Sequence, residues 1–556
     1  MATRFDSQTA SRWQRVLGHW STPLVFILAS VLAFVAIHAG WFCVSGIPTR
    51  DVLVILGTME VGVYLWVRMY SGLKLWRQIQ VLCLFVSLQA AVHLMVRLDG
   101  FTGDARPIWT WRWTKTPQQR FAESRQEQQL AESTPSQSRG RGTPPDLART
   151  TPWDSPGFRG QDRSGAMAAK ELATDWRAHS PRLLWQHPVG SGWSTFAVVG
   201  DYCVTQEQRQ EDEAVVCYEV QSGREIWEHR DRAHFYEATG DEGPRATPTI
   251  HQGRVYSLGA TGILNCLEGS SGHPVWSVNI LEDSGAPNRL FGMAGSPLVA
   301  DVSAREQKTL VIVSPGGQGS ALAAYDAMTG KRVWHAGDAD PSYSSPHLAN
   351  FTGRRQVLSF NAEGLFAHDL ADGHSLWMVP WVSNPAERNN VCQPVLWSST
   401  GRGEADSVFI SSGYGMGSAL FRIKPVGLDE DAGQFSVNEV WRNRSLKAKF
   451  SSVVLHDGHI YGLDGAALAC LEVATGERKW KAGHYGYGQV VLAGSNLLVQ
   501  LESGEVALVE ASPDKHHEVT RFAPLSGRTW NHPVLAGNLL LVRNDREAAC
   551  YELPLK

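Results

Sequence analysis

Seven residues, Trp193, Arg245, Tyr343, Asn390, Lys449, Tyr487 and His532, each stand just ahead of a short apolar strand in a pattern that recurs along the chain. Aromatic rings and cations gathered at one place suit an anionic ligand, a peptide or a quinone: rings offer flat apolar area and cations answer negative charge. The same residues would equally serve to close a channel with hydrogen bonds. Other chemistry finds little support. Of the eight cysteines, Cys217, Cys266, Cys470 and Cys550 fall at one repeat position, where other copies carry Ala324 and Ala367. They read as small core residues rather than disulfide pairs. The chain has no Cys-x-x-Cys-His, no His-Glu-x-x-His, no EF-hand ladder and no Gly-x-Ser-x-Gly turn, and no metal site is expected. A net charge of -4 leaves no basic footprint for nucleic acid.

The elements that position these residues are repeats. Ala321-Leu-Ala-Ala-Tyr-Asp-Ala-Met-Thr-Gly-Lys-Arg-Val-Trp334 returns as Ala214 to Trp227, Ile263 to Trp276, Leu365 to Trp377 and Ala467 to Trp480. Each copy is a strand of small and apolar residues, an acidic residue, a glycine turn and a second strand ending on Trp. Self-similarity at roughly 40–60 residues marks a repeat array such as a propeller. Eight first strands can be counted, from Phe196-Ala-Val-Val through Pro248-Thr-Ile to Pro533-Val-Leu. The expected fold is therefore all-β, an eight-bladed β-propeller over 180–556, with seven blades as the fallback because the seventh repeat is degenerate near Phe522. The chain stops after its last third strand, Ala548 to Glu552, while an orphan strand, Arg182-Leu-Leu-Trp-Gln186, precedes the first repeat. The orphan is expected to complete the last blade as its outermost strand, which removes the exposed edges of an open array. Each repeat Trp is expected to pack between blades, with its N–H bonded to a neighbouring backbone.

Ahead of the repeats lie three apolar runs, Pro23 to about Gly46, Val52 to Tyr70 and Leu75 to Leu98, expected as transmembrane helices over 23–98. Lys and Arg favour a cytoplasmic segment 1–22 and an extracytoplasmic remainder, which makes this a multi-pass membrane protein with an external propeller. Glu60 lies in the second run, and Gln89 is at a plausible depth to partner it. It reads as a proton or ligand site or as a hydrogen bond packing the helices. Residues 99–179 are expected as a flexible extracytoplasmic linker, with 114 to about 150 rich in Gln, Ser, Pro, Arg and Glu.

The pattern completed at Ala321 to Trp334 resembles the tryptophan-docking repeat of PQQ-like, quinoprotein-type propellers, across 180–556. That family holds PQQ-dependent alcohol dehydrogenases and cofactor-free BamB-type scaffolds that help to assemble outer-membrane β-barrels. Trp153 to Gly165 looks like the leader such proteins carry before their first blade. The resemblance implies binding or scaffolding at a bacterial cell envelope, with an envelope protein or peptide as partner. Its alternative is a PQQ-dependent oxidoreductase, with PQQ and Ca²⁺ on the axis and Trp193 or Trp530 as stacking partner. The dehydrogenases' adjacent, bonded cysteine pair is missing here, which favours the scaffold over the enzyme.

Overall fold

The computed structural model describes residues 74–132, 144–303, 308–383, 388–401, 404–426 and 434–556. The chain divides into a unit spanning Met1–Lys115 with Ala238–Gly240, and a second unit holding the rest.

The second unit is an eight-bladed propeller. Its blades span 197–231, 249–279, 298–336, 347–380, 395–443, 454–482, 489–522 and 534–552, and in each the strands pair in sequence order. Burial explains the order. Second and third strands such as Lys308–Val313 and Leu322–Asp326 are apolar and almost wholly enclosed, whereas fourth strands such as Arg332–Ala336 keep their charged residues exposed. Cores form between blades rather than within them: Tyr256, Leu258 and Cys266 of the second blade pack with Val311, Val313 and Tyr325 of the third. Cys217, Cys266, Cys470 and Cys550 are buried free thiols, as their repeat position implied.

The eighth blade closes as expected. Its outer strand is Arg182–Pro188, paired antiparallel with Glu547–Glu552 so that Trp185 faces Cys550 and Gln186 faces Ala549. The seventh blade is complete, with Glu518–Phe522 as its fourth strand. Seven blades are not needed.

Trp docking seals six of the eight junctions between blades. The indole N–H of Trp185 donates to Val220 O (2.6 Å), that of Trp227 to Gly269 O (2.9 Å) and that of Trp276 to Ala327 O (3.0 Å). The ring lies against the turn glycine of the following blade, where a Cβ on Gly223 would stand 2.5 Å from Trp185. Gly223 thus serves twice: its φ of 67° suits the turn, and its bare Cα admits the indole. Trp377 departs from the rule and donates to Gln356 Oε1 (2.8 Å) in its own blade. The fifth blade has Lys424-Pro425 where the first four and the sixth carry an acidic residue and a Gly turn.

The leader threads the wheel on the face of the first turns. Leu147 O accepts from Gly253 N–H, Ser155 pairs with Val198, Ala166–Met167 adds a parallel strand to Gln489–Ala493, and Lys170 N–H donates to Gly537 O. Between these points two buried arginines enter the centre. Arg159 donates to Val490 O (3.2 Å) and Val453 O (2.6 Å), and Arg163 to Ser296 O (3.0 Å), Pro346 O (2.7 Å) and Pro297 O. Four blades are thus tied by two side chains of one segment.

Where a flexible linker was expected over 99–179, the described residues carry regular structure. A hairpin joins Val96–Phe101 to Pro107–Trp111, and a helix spans Pro117–Glu132. That helix docks through Arg125 on Glu225 (2.7 Å) and Phe121 under Arg209 (5.0 Å). Of the three apolar runs, the first two and Glu60 lie outside the described residues. The third forms a helix, Leu75–Met95, that passes directly into the hairpin at Val96. No helix among the described residues is long and apolar enough to cross a membrane.

Candidate functional site: an aromatic and cationic rim

The connections from each fourth strand to the next first strand meet on one face, around the axis. Just inside them a relay of hydroxyls joins blade to blade. Thr195 N–H donates to Thr247 Oγ1 (3.4 Å), Thr247 N–H to Ser296 Oγ (2.9 Å), Ser296 N–H to Ser345 Oγ (2.9 Å) and Gln393 N–H to Ser452 Oγ (3.1 Å). Thr195 Oγ1 donates to His532 O (2.6 Å) and links the first blade to the eighth. The relay fixes the backbone from which the rim side chains rise.

The rim is a chain of rings and cations. Lys449 Nζ sits 4.6 Å from the centre of Phe450, 5.0 Å from Tyr487 and 5.7 Å from Tyr414. Phe450 continues to Trp530 (6.2 Å), and Trp530 to Trp193 (4.8 Å). The Arg528 guanidinium lies 4.8 Å from both indoles and pairs with Asp241 (2.6 Å) and Asp545 (3.3 Å). From Asp241 the chain passes to Arg245, which donates to Asp241 O (2.6 Å) and Phe291 O (2.8 Å). Phe291 meets Tyr343 edge-on at 5.6 Å, and Arg289 covers Tyr343 at 5.7 Å.

Burial sets the electrostatics. It lowers Arg245 to about 10 against the pull of Glu213 and Asp241. It raises Asp545, with Arg528 and Arg546 opposing. The rim therefore holds cations in a setting drier than water, where attraction to an incoming anion is stronger. The carboxylates are already occupied: Glu502 takes Trp530 Nε1 (3.0 Å) and Tyr487 N–H (3.2 Å), and Asp241 and Asp545 take Arg528. Among the described residues no three His, Cys, Asp or Glu are grouped to hold a metal.

Of the residues expected at the mouth, Trp193, Arg245, Tyr343, Lys449, Tyr487 and Trp530 join this rim. Asn390 does not. It is a core residue with every polar group bonded, its Nδ2 donating to Asn361 O (2.7 Å) and Trp381 O (3.1 Å), and its Oδ1 accepting from Ser412 (2.6 Å). His532 also turns away, packing edge-on against Phe158 of the leader at 5.0 Å. Burial beside Arg159 holds it well below the ordinary imidazole range. Arg528, Phe450, Asp241, Glu502 and Asp545 were missed. The first two neighbour expected positions, and the proximity of Arg528 to Trp530 in sequence was a usable signal. Glu502 and Asp545 come from turns between second and third strands, which carry no periodic mark.

Four-stranded blades sealed by indole docking around a closed axis define a tryptophan-docking, PQQ-like β-propeller. The chain belongs to the family described as outer membrane protein assembly factor BamB, whose model matches residues 169–318 and 211–482. It is 23% identical over 315 residues to the outer membrane protein assembly factor BamB of Shewanella oneidensis, covering 55% of this chain and 73% of that one. Among solved structures it is similar to quinohemoprotein alcohol dehydrogenases. That of Pseudomonas putida HK5 gives TM-score 0.52 at 13% identity, covering 74% of this chain and 81% of the enzyme. That of Comamonas testosteroni gives 0.51 at 13%, covering 73% and 81%. At such identity these two likenesses speak to the fold alone.

Proposed function

We propose that this propeller is a binding or scaffold module of the bacterial cell envelope, held at a membrane by the two apolar runs ahead of residue 74, and that its rim receives an extended, acidic segment of a partner protein. The observation that supports this most directly is the run of rings and cations from Lys449 to Tyr343, which offers stacking surface and positive charge together. The family's own description, an assembly factor, favours a protein partner over a small metabolite. The oxidoreductase reading fits the residues poorly. Ca²⁺ needs several free oxygen ligands, and the rim carboxylates are committed to Arg528, Trp530 and Tyr487.

A photo-crosslinking residue at Tyr487, in the native envelope, should trap a defined partner that the same residue at Asn496, outside the rim, does not. Equal trapping at both positions would remove the rim from the interface. Reduction of a dye by the purified chain given PQQ, Ca²⁺ and an alcohol would instead establish the enzyme.

A further inference from the structure

We propose that the hairpin Val96–Phe101/Pro107–Trp111 lays a tryptophan face into the headgroup region of a lipid bilayer. Alternate residues of a strand share a face, so Trp109 and Trp111 point the same way, 44% and 51% exposed. In the turn that follows, Trp113 is 68% exposed and stacks on Trp111 with ring centres 4.9 Å apart. Across the ladder Leu98 pairs with Trp109 and Val96 with Trp111, which widens the same apolar face. The opposite face carries Arg97, Asp99 and Thr110, with Arg97 and Asp99 paired at 3.4 Å. The hairpin is therefore two-sided, and its apolar side faces outward.

The occupant follows from three features. The hairpin follows without a linker on the helix Leu75–Met95, in whose last turns Val92, Leu94 and Met95 are exposed. Large contiguous apolar patches on a protein surface mark interaction sites rather than ordinary solvent contact. Indole combines a wide apolar ring with one N–H donor, the pairing that concentrates Trp where hydrocarbon gives way to water. From Val96 to Lys115 the chain carries Arg97, Arg106, Arg112 and Lys115 against Asp99 and Asp104, a net positive segment of the kind that anionic phosphate headgroups attract. Arg112 Nε donates to Val96 O (3.2 Å), which places this cation at the hairpin's open end. The inference rests on the membrane attachment proposed above, and it adds that the hairpin itself touches lipid.

The test uses the full chain reconstituted into phosphatidylethanolamine–phosphatidylglycerol vesicles whose acyl chains are brominated near the headgroup or near the bilayer centre. Wild type is compared with a variant carrying Trp109→Phe, Trp111→Phe and Trp113→Phe, which keeps the apolar face and removes three of the 21 indoles. Both proteins should float with the vesicles, and the variant should lack a component that shallow bromines quench more than deep ones. Flotation of both with identical quenching overturns the hairpin inference and leaves membrane attachment standing. Failure of the wild type to float overturns attachment, and the lipid contact falls with it.

Discussion

At the scale of single residues, the turn glycines and the indoles they admit make separable predictions. Gly223 and Gly200 both have positive φ, 67° and 56°, but only Gly223 has an indole against its Cα. Gly200→Ala should cost about 1 kcal/mol, the penalty of a left-handed backbone alone. Gly223→Ala should cost about 3 kcal/mol, because the indole of Trp185 must also move. Urea denaturation of the two variants measures the difference, and equal losses would mean that the ring is not held tightly. Glu213 carries a different signal. Burial pushes its carboxyl up to about 7, although one oxygen accepts from Ala260 N–H at 3.0 Å. The folded protein therefore binds a proton that the unfolded chain releases near the ordinary carboxylate range. Stability should be highest below about pH 4.5, as far as this group contributes, and should fall by ~3 kcal/mol as pH rises through 7. Glu213→Gln should flatten that slope and stabilise the protein at pH 8, as thermal unfolding across pH would show.

At the scale of elements, the leader is part of the wheel rather than an approach to it. Arg163 satisfies three carbonyls belonging to two blades, and burial lowers its guanidinium to about 9 with no carboxylate among the partners that it bonds. Arg163→Met would fill similar space and leave buried oxygens without donors. That should cost on the order of 3 kcal/mol, read as a lower urea midpoint with an unchanged slope. The fifth blade shows the converse. Facing a third strand that runs on into Lys424-Pro425, Trp377 bonds Gln356 inside its own blade (2.8 Å). Gln356→Leu should therefore leave this indole unsatisfied and cost about 1–2 kcal/mol, with its near-ultraviolet dichroism altered.

At the scale of the whole molecule, closure is what the remaining contacts assume. Arg182–Pro188 supplies the outer strand of the eighth blade, and Trp185 from that strand docks on Val220 and Gly223 of the first. One indole thus belongs to both sides of the seam. Trp185→Ala should cost about 3–5 kcal/mol, as for other large buried rings. It should also open the seam before the other blades, so limited proteolysis is expected to cut near residues 182–188 first. Cleavage spread evenly over the blades would contradict a localised seam.

Much of this was legible in order along the chain. The eight first strands, the recurring Trp and Gly spacing and the orphan strand at Arg182 are local patterns, so blade count and closure could be read without coordinates. Five of the seven residues expected ahead of first strands, Trp193, Arg245, Tyr343, Lys449 and Tyr487, lie along the run of rings and cations, since topology sends such residues to the same face. Tertiary structure alone decided the rest. Asn390 occupies an equivalent place in sequence yet is drawn into the core by four hydrogen bonds, and His532 faces Phe158 because the leader fills the space beneath it. Arg159, Arg163, Glu502 and Asp545 act on partners distant in sequence, and no repeat announces such a pairing. Periodicity fixes which way the backbone runs, whereas the packing of a closed ring determines where each polar group finds its partner.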